Sequence, residues 1–215
     1  MGDPYSAYKR RLREVGARVA VKAREYMARV GWKLEEALRI SAAANIVDTS
    51  VLGYTPIDLE EAIWDKPALE ERVEIPRGET VYLVLDNAGE AEIDIVLAEA
   101  LKLNGYEVKL VVRSESYEID VTKADIGEKL EFDVIETPGS KPPVVYIEGG
   151  YVIAKGIANL EASLETGRKQ GLHLLRAKCS VLAELFNVPK NSPLIVTVET
   201  ARRMLSRLKN PSSNL

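Results

Sequence analysis

The 215-residue chain contains one cysteine, Cys179, and one histidine, His173, and that scarcity closes off several chemistries at once. Structural zinc sites and HExxH centres draw on several Cys or His ligands, so neither fits. A metal held here must be held mainly by oxygen, which favours magnesium, manganese or a similar hard to borderline divalent ion. The chain has no apolar run long enough to span a bilayer, and its opening MGDPYSAYKRRLREVG lacks a signal-peptide core, so the sequence predicts a cytoplasmic protein with no membrane partner. Neither GxxxxGK[ST] nor GxGxxG occurs, which argues against a P-loop NTPase and a standard dinucleotide fold, and the absence of GxSxG argues against a serine hydrolase.

What is present is a chain that is 46% hydrophobic with a net charge of -4, enough to bury one sizeable core. The first 40 residues are the exception in charge, with ten Lys/Arg against five Asp/Glu. Such residues spread along an amphipathic helix make a solvated face more readily than a nucleic-acid surface, so nucleic acid is not an expected partner.

Leu12, Val15, Val19, Ala23, Tyr26 and Val30 recur at threes and fours, which predicts a first helix over Tyr8 to Val30. A second is expected over Trp32 to Ala44, and PIDLEEAIW predicts a third with Asp58 as its N-cap. These elements define a helical lobe, residues 1–70. From Glu74 the texture alternates between short, nearly continuous apolar runs (TVYLVL, YEVKLVV, FDVIET, YVIAKG, LHLLRAK, PLIVTVE) and helical segments, the rhythm of parallel strands with crossover helices. The expectation for residues 71–215 is an α/β domain, and TPGSKPP within it reads as an exposed loop.

Ligands of open parallel sheets bind at the carboxyl ends of the strands. The residues just past each strand are therefore informative: Asp86-Asn87-Ala88-Gly89-Glu90, then Asp120 in YEIDVTKAD, then Lys155-Gly156 with Asn159, then Lys178-Cys179. Asp86, Asn87 and Asp120 could offer two carboxylates and a carboxamide to a divalent cation, while Lys155 and Lys178 could neutralise a phosphate. The competing reading is that Asp86-Asn87 is a helix cap and turn, Asp120 a solvated loop residue and the lysines surface charges. His173 reads as a structural or surface residue, and Cys179 as a small buried packing residue.

Taken in order, DNAGE, DVTKAD, VIAKGIANLE, LLRAKC and NVPKNSPLI, with DPYSAYK and AAANIVD upstream, resemble the metal-dependent phosphatases of the domain-of-unknown-function-89 group, the damage-control phosphatases. The resemblance implies a three-layer α/β/α sandwich with a mostly parallel sheet and a small N-terminal helical lobe. It implies hydrolysis of small phosphorylated metabolites, such as sugar phosphates or damaged metabolites, with Mn2+, Mg2+, Co2+ or Ni2+. By resemblance, Asp86, Asn87 and Asp120 hold the metal, and Lys155, Gly156, Asn159 and Lys178 line the phosphate pocket. Asn45 and Asp48 face the site from the helical lobe, and Glu90 and Glu161 match the family's glutamates. Ile119 stands where the family usually has a polar residue, Ile157 where Gln is common and Ala44 where Gly is common. The chain opens near the family's DPYxxxK segment, which implies the lack of a preceding helical region and an apolar patch that homo-oligomer formation would cover. The alternative of another class is a non-catalytic phosphometabolite-binding or assembly protein of the same fold.

Overall fold

The computed structural model describes residues 3–46, 58–126 and 131–209. Helices α1 (Ser6–Arg29) and α2 (Leu34–Ala43) are followed by one-turn α3 (Leu59–Ala62) and a two-residue edge strand, β1 (Leu69–Glu70). Then come β2 (Thr80–Val84), α4 (Ala91–Leu103), β3 (Glu107–Arg113), one-turn α5 (Lys123–Ile126) and β4 (Asp133–Thr137). A 3-10 turn at Pro143–Tyr146 leads to β5 (Tyr151–Lys155), α6 (Ile157–Glu165), β6 (Leu172–Arg176), α7 (Ser180–Phe186), β7 (Pro193–Thr197) and α8 (Val198–Lys209).

The strands form one sheet in the order β1-β7-β6-β5-β2-β3-β4. Every pair is parallel except β6 with β7. The reversal has a local cause. After α7 the chain turns through Asn187 in the left-handed region, φ 52, and comes back to the end of β6 it left, where Ala177 N donates to Ser192 O at 2.9 Å and Asn191 N to Ala177 O at 2.7 Å. β7 therefore starts where β6 stops.

Alternation along the strands sorts the core into two faces. Val81, Leu83, Leu110, Ile153, Leu172 and Leu174 pack with α1, α2 and α4, whereas Val84, Val111, Val152, Ala154, Leu175 and Val196 pack beneath α6, α7, α8 and the 3-10 turn. This is the expected α/β fold with helices on both faces of a mostly parallel sheet. The helices of residues 1–70 share the first of these cores, and β1 pairs with β7, so this segment forms a layer on the sheet.

Several boundaries differ from expectation for identifiable reasons. α2 starts at Leu34 because Gly31 and Trp32 sit at φ 71 and 53. α6, expected from the pattern over Leu160 to Gln170, begins directly after Gly156 and ends at Glu165, where Gly167 at φ 70 turns the chain. TPGSKPP is not simply an exposed loop: Thr137 closes β4, and Pro143 opens the 3-10 turn, both buried. Asp58 caps α3 as expected, its carboxylate accepting from Glu60 N at 2.8 Å.

His173 is structural and wholly buried in β6, with neither ring nitrogen hydrogen-bonded within the protein. Burial, aided by the charge of Arg168, pushes its pKa from the ordinary 6.5 down to about 3. The fold thus holds His173 neutral while the unfolded chain takes up a proton, so its contribution to stability is present above pH 6.5 and lost progressively toward pH 3. The slope approaches about 1.36 kcal/mol per pH unit only below pH 6.5, so His173→Leu should lose about 1.5 kcal/mol less than wild type between pH 6.5 and 5. Urea unfolding at the two pH values measures this, and equal losses would show that His173 is not held neutral.

Candidate active site

The site begins with backbone. β2 and β3 pair with Val84 opposite Val111, and the ladder runs on past β2, with Leu85 N donating to Val111 O at 3.0 Å. Beyond β3 the chain turns and folds back across the end of β2. There Ala88 N donates to Ile119 O at 2.9 Å and Val121 N to Asp86 O at 2.8 Å. Asn87 lies opposite Asp120 in this antiparallel bridge. Residues far apart in sequence thus become cross-strand neighbours, a relation that places side chains within contact range.

The returning segment is fastened on several sides. Arg113 Nε pairs with Asp120 Oδ2, and Arg113 Nη1 also donates to the carbonyls of Gly139 and Lys141 at 2.7 and 2.9 Å. Asp125 Oδ2 accepts from Thr122 N and Oγ1 at 2.9 and 2.8 Å. Buried Lys9, from the DPYSAYK stretch of α1, meets Asp125 Oδ2 at 2.5 Å and donates to Ser116 Oγ at 3.0 Å. α1 can come this close because position 16 is glycine: a Cβ there would lie 2.4 Å from Gly89 O.

Asp86, Asn87, Asp120, Asn45, Asn159 and Lys178 all line one cavity of about 450 Å³. Glu161 and the first turn of α6 border it as well. Gly156, at φ 76, caps α6 and lies against Asp86, since a Cβ there would sit 2.2 Å from Asp86 Oδ2 and 2.5 Å from Cγ. Its N-H donates to Leu174 O at 3.2 Å, so it gives the site space. Asn159 uses both ends of its carboxamide on backbone, Nδ2 to Lys155 O at 2.9 Å and Oδ1 from Val144 N at 3.2 Å. It ties the 3-10 turn to β5.

Lys155 and Glu90 lie beneath the cavity, outside its wall. Lys155 is fully buried, its Nζ 2.9 Å from both Glu90 Oε2 and Asp94 Oδ1, and it also donates to Ser41 O. Asn45 Nδ2 bridges Asp86 Oδ2 at 3.1 Å and Glu90 Oε1 at 2.8 Å, and Asn87 Nδ2 also donates to Glu90. Glu90 thereby orients the residues above it. Asp48 lies outside the described residues. Cys179 is half-buried on the cavity wall.

The electrostatics follow from crowding negative charge in a dry corner. Burial, with Glu90 and Asp120 nearby, pushes the Asp86 carboxyl up to about 8, against the pull of Lys178 and the Asn45 hydrogen bond. Burial raises Asp120 to about 6 despite Arg113, and Asp94 to about 7 despite Lys155. Burial alone would lower the Lys155 ammonium; Asp94 and Glu90 raise it on balance. Asp86 therefore sits where a further positive charge would keep it ionised. Among the described residues no group of three His, Cys, Asp or Glu is arranged to hold a metal. The oxygen donors that do converge are Asp86, Asp120 and the carboxamide of Asn87, a set suited to a hard divalent ion that also keeps water or phosphate ligands.

Residues 1–133 match the family model described as the damage-control phosphatase ARMT1-like domain. The chain belongs to this family. Similarity to curated relatives continues beyond that segment. Damage-control phosphatase PH1575 of Pyrococcus horikoshii is 25% identical over 213 residues, covering 88% of this chain and 73% of the relative. A damage-control phosphatase of Archaeoglobus fulgidus is 26% identical over 222 residues, covering 92% and 76%. The crystal structure of PH1575, a DUF89 family protein, matches with a TM-score of 0.68 and 28% identity over 90% of this chain and 75% of that one.

Three residues on or beneath the cavity of this damage-control phosphatase family member escaped the sequence reading. Arg113 and Arg176 both line the cavity. Each closes an apolar strand, in EVKLVVR and LHLLR, and a charge ending such a run was the available signal. Arg176 spends its guanidinium on the carbonyls of Ala43, Ala62 and Asn191 and on Asp65, at 2.5 to 3.0 Å, pinning α2 and the turn after α3 to β6. Asp94, on the buried face of α4, gave no signal beyond being a charge in an otherwise apolar stripe.

Proposed function

We propose that this protein is a metal-dependent phosphomonoesterase acting on small phosphorylated metabolites. The observation that carries the reading is the convergence of Asp86, Asn87 and Asp120 from two strand ends on one cavity that Lys178 also lines. Those three residues would hold the divalent ion, Mn2+, Mg2+, Co2+ or Ni2+. Bound there, it would supply Lewis-acid polarisation of a phosphoryl oxygen and activate water.

The rest of the chemistry belongs to the chain. Lys178 places a positive charge where phosphoryl oxygens would lie, and amide donors in the first turn of α6 would add to it. Arg113 fixes the rotamer of Asp120 by holding Oδ2, and Asn45 does the same for Asp86, so the donors are oriented before substrate arrives. Below them, Lys155 pairs with Glu90 and Asp94 away from solvent, and Glu90 in turn holds Asn45 and Asn87 in place.

Release of nitrophenol from p-nitrophenyl phosphate tests the proposal. Wild type should show turnover that divalent ions stimulate, and Asp86→Ala should show none above background. The substitution removes a carboxyl whose burial opposes folding, so the variant should fold. Phosphate binding without hydrolysis in wild type would overturn the enzyme reading in favour of a binding protein.

A further inference from the structure

The cavity is larger than a phosphoryl group requires, and its wall changes character toward solvent. Asn87 and Lys178, 3% and 5% exposed, mark the inner end. At the outer end stand Tyr117 and Val181, 62% and 68% exposed, with Ile157, Pro143 and Leu182 completing an apolar wall. Tyr117 and Val181 are two of the three most exposed large hydrophobic residues described. Both lie on this one cavity, from the turn after β3 and from the start of α7.

Tyr117 is also held in place. Asp120 N donates to Tyr117 O at 3.0 Å, Ser116 Oγ donates to Glu118 O at 3.0 Å, and Lys9 supports Ser116. Glu118 adopts φ 50, a left-handed conformation that costs energy in a residue other than glycine. The Arg113 guanidinium lies 5.6 Å from the Tyr117 ring centroid. A built turn thus presents an aromatic ring at the mouth of a polar-floored pocket.

We infer that the outer half of the cavity is a subsite for a planar aromatic ring carried by the phosphorylated ligand, gripped between Tyr117 and Val181; this rests on the phosphatase reading above. A flat ring suits the site because it can stack on Tyr117 while its edge meets the apolar wall. A short polyol phosphate leaves these surfaces in water. The favoured substrates are aryl or heteroaryl phosphate esters.

Calorimetry with two phosphonates, which resist hydrolysis, tests this in buffer containing Mg2+. Benzylphosphonate and methylphosphonate carry the same anion and differ in the ring. Benzylphosphonate should bind about tenfold more tightly, Tyr117→Phe should keep that gap and Tyr117→Ala should close it. Equal affinities in wild type, or a gap that survives in Tyr117→Ala, would overturn the ring subsite while leaving the phosphatase reading intact. Failure of both phosphonates to bind would count against both.

Discussion

Lys155→Met is expected to lower the stability of the protein by about 3 to 5 kcal/mol, the usual cost of removing one partner from a buried charge group. Lys155 is fully buried, and its ammonium is the positive charge directly paired with both Glu90 and Asp94, themselves buried. Methionine fills the volume but leaves two carboxylates to share the corner or take up protons. For a chain of this length the melting temperature should fall by roughly 10 °C or more. Adding Asp94→Asn should recover part of the loss, because it removes one of the stranded charges. Lys178→Met, by contrast, should lose phosphate affinity, because Lys178 lines the cavity. If Lys155→Met melted like wild type but no longer bound phosphate, the ammonium would belong in the cavity, as the position of Lys155 at a strand end suggests from sequence alone.

The second large effect is catalytic. Gly156→Ala introduces a methyl carbon 2.2 Å from Asp86 Oδ2 at a residue held at φ 76. That backbone, φ 76 with ψ 165, lies in a region that almost only glycine occupies and alone costs about 1 to 3 kcal/mol with a Cβ present. The clash is the larger matter for function, since the Asp86 carboxylate must move by on the order of an ångström, and such displacement of a reacting group costs about 100-fold in rate. Gly167→Ala separates the two contributions: φ there is 70, yet a Cβ would meet nothing within 4 Å. Gly167→Ala should lose stability and keep turnover, whereas Gly156→Ala should lose both. Equal turnover in the two variants would mean that the Asp86 position does not matter.

Much of this architecture was legible in the sequence because apolar runs and their polar stops are local signals. TVYLVL followed by Asp86-Asn87 announced a strand end, and Asp58 announced a cap. Strand β1 was hidden because two residues carry no period, and the antiparallel β7 because its direction depends on where α7 returns the chain. The depth of Lys155 was hidden for a related reason. Sequence places a lysine at a strand end but cannot say whether it points out of the sheet or down onto Ser41 and Asp94, whose neighbourhood is set by α2 packing over α4. The bridge of Asn87 with Asp120 is likewise tertiary, and it brings two separate candidates onto one cavity. Ile119 reads differently in place: its side chain is buried with the main core while its carbonyl accepts from Ala88 N, so the bridge uses its backbone.

On the proposed function, Asp86, Asn87 and Asp120 form one cation site. Titration of the metal-free protein with Mn2+, followed by calorimetry, addresses it most directly. One ion per chain should bind to wild type and to Lys178→Met, more weakly to Asn87→Ala, and not measurably to the Asp86→Ala/Asp120→Ala double variant. Undiminished binding of Mn2+ by the double variant would place the cation elsewhere.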